Sequence, residues 1–287
     1  MKGKYRSILV AYDGRGGVSR STAATFFHGV AHGAATQRGD TVAHFAALDF
    51  IESHLDELGD IFPDLSAIIV HRNPVGAKNL AVSIGKALPV LGYGSSAYTV
   101  DGPTQHWVAI DEEEVVRRAL EHLFEHGHRH IGLLIKNGPA QRLRQKCWRR
   151  WLEARELPAS DDMVLDLESV PAPEYFRNPR RLKSVLEKTT ALFSTTDFDL
   201  PPLMHAATRL GVSLPRDLSL VGVDNLDFDA FLQPPLTSVD LNQGAAGAQC
   251  VEALSRLWAG DRTPIREFAQ AILVQRDSVA KPGSKDG

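Results

Sequence analysis

The chain has 287 residues, of which 43% are hydrophobic and 23% are charged, and its formal net charge is -3 at pH 7. These values are ordinary for a globular protein with one large or two medium domains, and they exclude a disordered or fibrous chain. The slight negative charge gives no general attraction for nucleic acid, so any contact with DNA needs a local basic patch or a separate module.

The two cysteines, Cys147 and Cys250, lie in apolar helical patterns and match no zinc motif. We expect them to be reduced, buried thiols of a cytoplasmic protein. The apolar run at 8–11 is too short for a signal peptide, and the longer runs are far below membrane-spanning length. The sequence therefore predicts a cytoplasmic chain without a membrane partner. An exported protein whose signal has been removed stays open as the alternative.

The first part of the chain alternates short β-rich runs with amphipathic helical stretches. The helix predicted at 22–38 carries Phe26, Phe27 and Val30 on one side and stops at Gly39. Strands are predicted at 7–12, 41–46, 66–70 and 89–93, and a further helical segment near 77–87.

The second part continues the alternation. Its clearest helix is at 111–126, where Val115, Ala119 and Leu123 belong to an apolar stripe that ends at Gly127. Asn178 and Pro179 open a later helix. The remaining predicted elements are strands at 131–135, 191–194, 218–223 and 268–274, and helices at 143–154, 201–210 and 243–259.

This order predicts an α/β fold with parallel sheets covered by helices on both faces. Because about ten strand–helix units are too many for one sheet, two doubly wound lobes are favoured over one. Ligands of such folds bind at the carboxyl ends of the strands, which here means the loops after Tyr12, Tyr93, Ile135, Ser194 and Val223.

Two polar stretches have a structural and a functional interpretation. The loop from Asp13 to Gly17 contains Arg15 but fits no phosphate-binding motif, so it is either a flexible loop or a mobile ligand contact. The histidines His126, His128 and His130 follow a helix end, where imidazoles suit the carbonyl end of the dipole. They lack a further ligand at a suitable spacing, so no metal site is predicted.

Two charged residues are candidates for ligand contacts. Arg144 follows the strand at 131–135 and belongs either to the solvent face of a helix or to a binding cleft. Asp224 ends the strand at 218–223, where it either forms an Asx turn with Asn225 or accepts hydrogen bonds from ligand hydroxyls. We find no nucleophile elbow or other catalytic pattern, and we predict a protein that is not an enzyme.

Four segments together resemble the signatures of the LacI/GalR family of bacterial transcriptional regulators. They are LEHLFEHGHRHIGLL at 120–134, LPRDLSLVGVDN at 214–225, PPLTSV at 234–239 and LVQRDS at 273–278. Their order and spacing agree with the family, and the resemblance extends from Ser7 to about Val279.

The resemblance implies a periplasmic-binding-protein-like fold, in which two doubly wound parallel-sheet lobes are joined by three crossovers and hold a small effector between them. The crossovers are expected near 109–111, 239–241 and 274–276. The expected N-terminal lobe, which would dimerise and form one wall of the cleft, comprises 1–109 and 241–274. The expected C-terminal lobe comprises 110–240 and 275–280, and 281–287 is expected to be a disordered tail.

The resemblance also assigns ligand-binding residues. Arg144 and Asp224 match the arginine and the aspartate that bind the effector, and Thr196 stands where the family often has asparagine. The remaining expected contacts are Asp13, Arg15, Tyr93, Gly94 and Tyr175, with Phe176 as the alternative aromatic residue to Tyr175. Gly94 replaces an acidic residue of some relatives, and Asp199-Leu200-Pro201-Pro202 replaces the usual helix entry.

The resulting hypothesis is an effector-sensing core of a homodimeric regulator without cofactor or metal. Its effector is expected to be a sugar or sugar derivative that drives lobe closure, and DNA would be contacted only through an N-terminal module that is missing from this sequence. The alternatives are a transport-type periplasmic sugar-binding protein and, less favoured, an enzyme on the same fold.

Overall fold

The chain folds into two compact units. The computed structural model of the protein describes residues 6–13, 20–36, 41–72, 80, 88–100, 104–167 and 179–283. The first unit comprises Met1–Asp111 and Asn242–Gln270, and the second comprises Glu112–Leu241 and Ala271–Gly287. The chain therefore passes from one unit to the other three times.

The first unit contains a six-stranded sheet in the order β11-β5-β4-β3-β1-β2, whose neighbouring strands are all parallel. Its strands are β1 Arg6–Tyr12, β2 Thr41–Ala47, β3 Leu65–His71, β4 Val90–Ser95, β5 His106–Ile110 and β11 Arg266–Ala269. Its described helices are α1 Arg20–Thr36, α2 Leu48–Ser53, α3 Leu58–Ile61, α4 Ser96–Thr99 and α9 Gln243–Trp258.

The second unit contains a six-stranded sheet in the order β12-β10-β9-β8-β6-β7, in which only the pairing of β12 with β10 is antiparallel. Its strands are β6 Ile131–Ile135, β7 Val164–Asp166, β8 Ala191–Ser194, β9 Ser219–Val223, β10 Thr237–Asp240 and β12 Ile272–Val274. Its described helices are α5 Glu112–Glu125, α6 Pro139–Glu153, α7 Arg180–Lys188 and α8 Leu200–Arg209, with short 3-10 segments at Asp161–Met163, Asp197–Asp199 and Asp227–Phe231.

Apolar periodicity places the cores of both units. In α5 the predicted stripe is buried, and Val115, Ala119 and Leu123 are fully enclosed. The central strands β6, β8 and β9 are buried along their whole length, as expected of parallel strands that are covered on both faces. The predicted α/β class with two parallel-sheet lobes is confirmed. Both cysteines are buried, as predicted, and neither takes part in a disulfide.

The prediction of one strand at 268–274 is wrong, and with it the assignment of 271–274 to the N-terminal lobe. Strand β11 pairs with β5 in the first unit, whereas β12 pairs with β10 in the second unit. The chain crosses between the units after Gln270. No glycine or proline lies between 268 and 274, so the apolar pattern there predicts one continuous strand.

The segment after β12 is bonded to the second sheet. Ser278 Oγ donates to the Leu220 carbonyl at 2.6 Å and accepts from the Thr237 amide at 2.8 Å. His128 contacts Thr190 Oγ1 through Nδ1 and the Ala280 carbonyl through Nε2, both at 2.9 Å. The described part of the expected tail, 281–283, continues from this anchored segment, and 284–287 lie outside the described residues.

The histidines after α5 have structural roles. Burial lowers the pKa of His128 to about 4, so the ring stays neutral and its Nε2 can donate to Ala280. His126 Nδ1 lies 2.7 Å from the His122 carbonyl near the helix end. Within the described ranges, no group of three or more His, Cys, Asp or Glu side chains is arranged to hold a metal ion. Nor does any described helix combine the length and apolar character needed to cross a bilayer.

Helices α1 and α9 of the first unit pack at backbone contact because glycines face each other. A Cβ atom on Gly29 would lie 2.0 Å from the Gly244 carbonyl oxygen, and one on Gly247 would lie 2.4 Å from the Phe26 carbonyl oxygen. Any side chain at these positions would push the two helices apart.

We therefore predict that Gly247→Ala lowers the free energy of unfolding by about 1–3 kcal/mol, which is the usual cost of overpacking a rigid core. Chemical denaturation measures this change. Gly59→Ala is the matched control, because nothing lies within 4 Å of a Cβ atom at that helical position. Equal stability of the two variants would contradict the close helix contact.

Candidate functional site

Polar side chains gather at the carboxyl ends of neighbouring strands in the second unit. Thr195, Thr196 and Asp197 follow β8, Asp224 follows β9, and Asp240 ends β10. Because β8, β9 and β10 are parallel neighbours, these ends meet at one edge of the sheet. This is the edge at which open α/β folds bind ligands.

Asp224 is held in a backbone conformation that non-glycine residues rarely adopt. Its φ angle is 115°, and the next residue, Asn225, has a φ angle of 49°. Such conformations cost about 1–3 kcal/mol each and persist where the surrounding structure fixes them, often at ligand sites. The side chain of Asp224 is half-buried, and its Oδ2 accepts a hydrogen bond of 2.8 Å from Thr196 Oγ1.

Hydrogen bonds to β10 and to the segment after β12 fix this strained turn. The amide of Asp224 donates to the Val239 carbonyl at 3.0 Å, and the amide of Asn225 donates to Ser238 Oγ at 3.0 Å. Asn225 Nδ2 donates to Asp240 Oδ2 at 3.0 Å, and Arg276 Nη2 donates to Asn225 Oδ1 at 2.7 Å. The carboxylate of Asp224 is therefore presented by a turn that its neighbours determine.

Arg144 faces the interior of the second unit rather than solvent. Helix α6 begins at Pro139, four residues before the predicted start, and Arg144 is only 3% exposed. Its Nε donates to Glu112 Oε2 at 2.5 Å, and its Nη1 donates to the Thr195 carbonyl at 2.6 Å. Since Thr196 is the next residue, these bonds bring Arg144, Thr196 and Asp224 into one connected group.

A buried pair of carboxyl groups adjoins this group. Asp197 and Asp229 are both fully buried and lie close enough for their charges to interact. Ser238 Oγ donates to Asp197 Oδ2, and the Leu226 amide donates to Asp229 Oδ2, each at 2.7 Å. Among the described residues, neither Oδ1 atom has a hydrogen-bond donor. Burial and the neighbouring carboxyl group both disfavour the charged form, so we expect the pair to retain a proton above the usual aspartate pKa.

Burial is the main cause that raises the pKa of both aspartates. The neighbouring carboxylates of Asp229 and Asp224 raise the pKa of Asp197 further, so that it lies well above its usual range. Burial also raises the pKa of Asp229. Gly222 of β9 makes room for the pair, because a Cβ atom there would lie 1.7 Å from Asp197 Oδ1.

The other expected contacts have different surroundings. Asp13 lies half-buried directly after β1 in the first unit. Tyr93 is 1% exposed and belongs to the aromatic core, where its ring stacks on Phe26 at 4.0 Å. We expected the Tyr93 side chain to contact a ligand, and its burial disagrees with that expectation. Gly94 admits the ring of Tyr98, whose Cε2 would lie 2.6 Å from a Cβ atom at Gly94.

Arg15 and Tyr175, together with Phe176, lie outside the described residues. Sequence reasoning missed Glu112 and Asp229. Glu112 is the first residue of α5, where a carboxylate is expected for the helix dipole alone. The partner of Asp229 is 32 positions away, and no local pattern reveals it. The sequence signal that could have indicated these two residues was the group of acidic residues near the predicted strand ends.

The raised pKa of this buried pair predicts a pH-dependent effect of Asp229→Asn. Above the usual aspartate pKa, the folded protein keeps a proton on this pair that the unfolded chain releases. The free energy of unfolding therefore decreases as pH rises from the usual aspartate pKa towards the raised one. An asparagine amide can donate to Asp197 without this proton. We expect the melting temperature of the variant, relative to the original protein, to increase from pH 5 to pH 8.

The control is Asp227→Asn in the same 3-10 segment, where the side chain is exposed and no pH-dependent gain is expected. Equal destabilisation by Asp229→Asn at every pH would contradict the raised pKa of the pair.

Comparisons with known proteins agree with this architecture. The family model described as the periplasmic binding protein-like domain matches residues 120–279, more than half of the chain. The HTH-type transcriptional repressor PurR of Haemophilus influenzae (strain PittEE) is 30% identical over 138 residues, which cover 47% of this chain and 41% of that repressor. The chain thus spans less than half the length of this relative.

Two solved structures share the fold over nearly the whole chain. The lac repressor dimer bound to operator and the anti-inducer ONPF has a TM-score of 0.73 at 18% identity and covers 97% of this chain and 95% of its own. The transcriptional regulator CelR in complex with cellobiose has a TM-score of 0.72 at 19% identity and covers 96% and 84%. At these identities the two structures show the shared fold. The family model and the repressor relative lead to the conclusion that the chain belongs to the family of periplasmic binding protein-like domains and is a LacI/GalR-type member of it.

Proposed function

We propose that this chain is the effector-binding core of a bacterial transcriptional regulator and that the effector binds at the carboxyl edge of the second sheet. The observation that carries the proposal is the strained turn at Asp224, whose conformation is fixed by hydrogen bonds and whose carboxylate lies beside Thr196. A conformation that costs stability without improving the core is typical of a binding site.

The chemistry of this edge suits a polyhydroxylated ligand. A carboxylate such as that of Asp224 can accept hydrogen bonds from two neighbouring hydroxyl groups, and Thr196 can donate or accept. The CelR neighbour binds cellobiose, which supports a sugar or sugar derivative as the effector class. Asp13, Arg15, Gly94 and Tyr175 remain proposed further contacts.

The proposed mechanism is a shift between two conformations. An effector changes their populations only by the difference between its affinities for them. A DNA-binding module outside this sequence would respond to the shift. The protein would thereby regulate bacterial genes in the cytoplasm. The relatives are regulators, so we propose that the ligand is bound and released without turnover.

We also propose that the protein works as a homodimer, like the lac repressor neighbour. The resemblance places dimerisation in the N-terminal lobe, whereas we propose an interface on the second unit, at an aromatic patch that we define as Phe198, Phe228 and Phe231. Phe231 is 83% exposed and Phe198 is 49% exposed, and the half-buried ring of Phe228 lies 6.0 Å from that of Phe198. Exposed aromatic residues are typical of protein interfaces.

The binding proposal predicts that Asp224→Asn weakens effector binding by about tenfold to a hundredfold, because hydrogen bonds to a charged acceptor contribute about 1.5–3 kcal/mol. Asparagine also tolerates positive φ angles, so the turn can be retained. Isothermal titration calorimetry with a sugar found in a thermal-shift screen measures the loss. Asp227→Asn is the control, and an equal affinity of both variants would contradict the site.

The dimer proposal predicts that Phe231→Ser shifts the protein from dimer to monomer at micromolar concentration. Analytical ultracentrifugation gives the molar mass directly. Phe50→Ser in the first unit, where Phe50 is 42% exposed, is the matched control and should leave the dimer intact. A dimer that both substitutions leave unchanged would rule out the aromatic patch as the interface.

A further inference from the structure

The guanidinium of Arg144 already has a carboxylate partner inside the protein. Glu112 Oε2 lies 2.5 Å from Arg144 Nε, and the side chains of Glu112 and Arg144 are 0% and 4% exposed. The second acceptor is the carbonyl of Thr195, at 2.6 Å from Nη1. The positive charge that this edge offers to a ligand is therefore largely neutralised from within.

We expect that a ligand anion does not displace Glu112 as the partner of Arg144. Removing one partner of a buried ion pair leaves the other charge buried without compensation, which is strongly destabilising. Glu112 opens α5 directly after the chain enters the second unit, so its backbone position is fixed by that helix.

Two further arginines of the described part of the second unit also have internal acceptors. Arg276 donates to Asn225 Oδ1 and to the Leu236 carbonyl, each at 2.7 Å, and Arg142 lies 3.3 Å from Asp166. Lys136 is exposed, and its charge acts on Asp199. The half-buried carboxylate of Asp224 remains close to the proposed ligand position and repels a second anion there.

We propose that Glu112 is a specificity-determining residue that makes the site select an uncharged, polyhydroxylated ligand over its phosphorylated or carboxylated counterpart. Arg144 then serves as a hydrogen-bond donor and a fixed support for the Thr195–Thr196 turn, and Asp224 serves as the acceptor for ligand hydroxyls. This inference rests on the proposed effector site and adds the chemical class of its ligand.

Matched pairs of compounds test the selectivity. Glucose with glucose 6-phosphate, glucose with glucuronate, and adenosine with adenosine monophosphate each differ by an anionic group. We expect the original protein to bind the neutral member of a pair at least about tenfold more tightly, as measured by titration calorimetry after a thermal-shift screen.

The variant Glu112→Gln removes the charge but keeps an oxygen that can accept from Arg144. We expect the preference for the neutral compound to fall by about tenfold or to reverse, because the anion now has an uncompensated guanidinium to bind. Glu113→Gln is the matched control: its side chain is 68% exposed and pairs with Arg150 at the surface. This control should leave the preference unchanged.

The outcomes separate the two proposals. Tighter binding of the anionic compounds by the original protein overturns the inference and leaves effector binding intact, and an equal preference in the Glu112→Gln and Glu113→Gln variants overturns the role of Glu112. If no pair shifts the melting temperature, effector binding itself is contradicted and the inference falls with it. If Glu112→Gln does not fold, the matched pairs on the original protein decide, and Glu112→Asp must keep the preference.

Discussion

The buried ion pair between Glu112 and Arg144 is the interaction on which the candidate site depends. It joins the first residue of α5 to the second turn of α6, and Arg144 extends the connection to the turn after β8 through the Thr195 carbonyl. Both charges have lost their water, so each is tolerated only because the other is present. The pair thereby fixes the position of Thr196, which in turn donates to Asp224. A site that selects among small molecules needs such a fixed frame, because loosely held donors and acceptors discriminate poorly.

A second constraint comes from the carboxyl edge of the parallel sheet, which collects acidic residues from separate parts of the chain. Such a concentration of carboxyl groups is unfavourable unless protons, hydrogen-bond donors or cations compensate it. The protein uses each of these: the raised pKa of the buried pair Asp197 and Asp229 favours a retained proton, Asp240 accepts from Asn225, and Glu112 pairs with Arg144. The segment after β12 contributes to the same edge, since Arg276 supports Asn225. The conformation of Asp224 is therefore stabilised by residues far apart in sequence.

The sequence predicted the regular elements well where one pattern dominates. Strands β6 and β8 have their predicted bounds, and α5 differs by one residue at each end, because long apolar runs and stripes leave little ambiguity. Strands β5, β7 and β10 were missed because three to five residues carry no clear period. Within the site, the family resemblance led to Arg144 and Asp224, but their partners were beyond reach. The burial of Tyr93 depends on Phe26 from another element, and the pairing of Arg144 with Glu112 depends on how α5 and α6 pack. Such contacts are tertiary, and neither periodicity nor motif spacing records them.

The most direct measurement is a crystal structure of the protein with a bound neutral sugar. The account predicts that the sugar lies at the carboxyl edge of the second sheet, that its hydroxyl groups donate to the carboxylate of Asp224, and that Arg144 keeps its bond to Glu112. A sugar bound elsewhere, or an Arg144 side chain that has left Glu112 to contact the ligand, would contradict it.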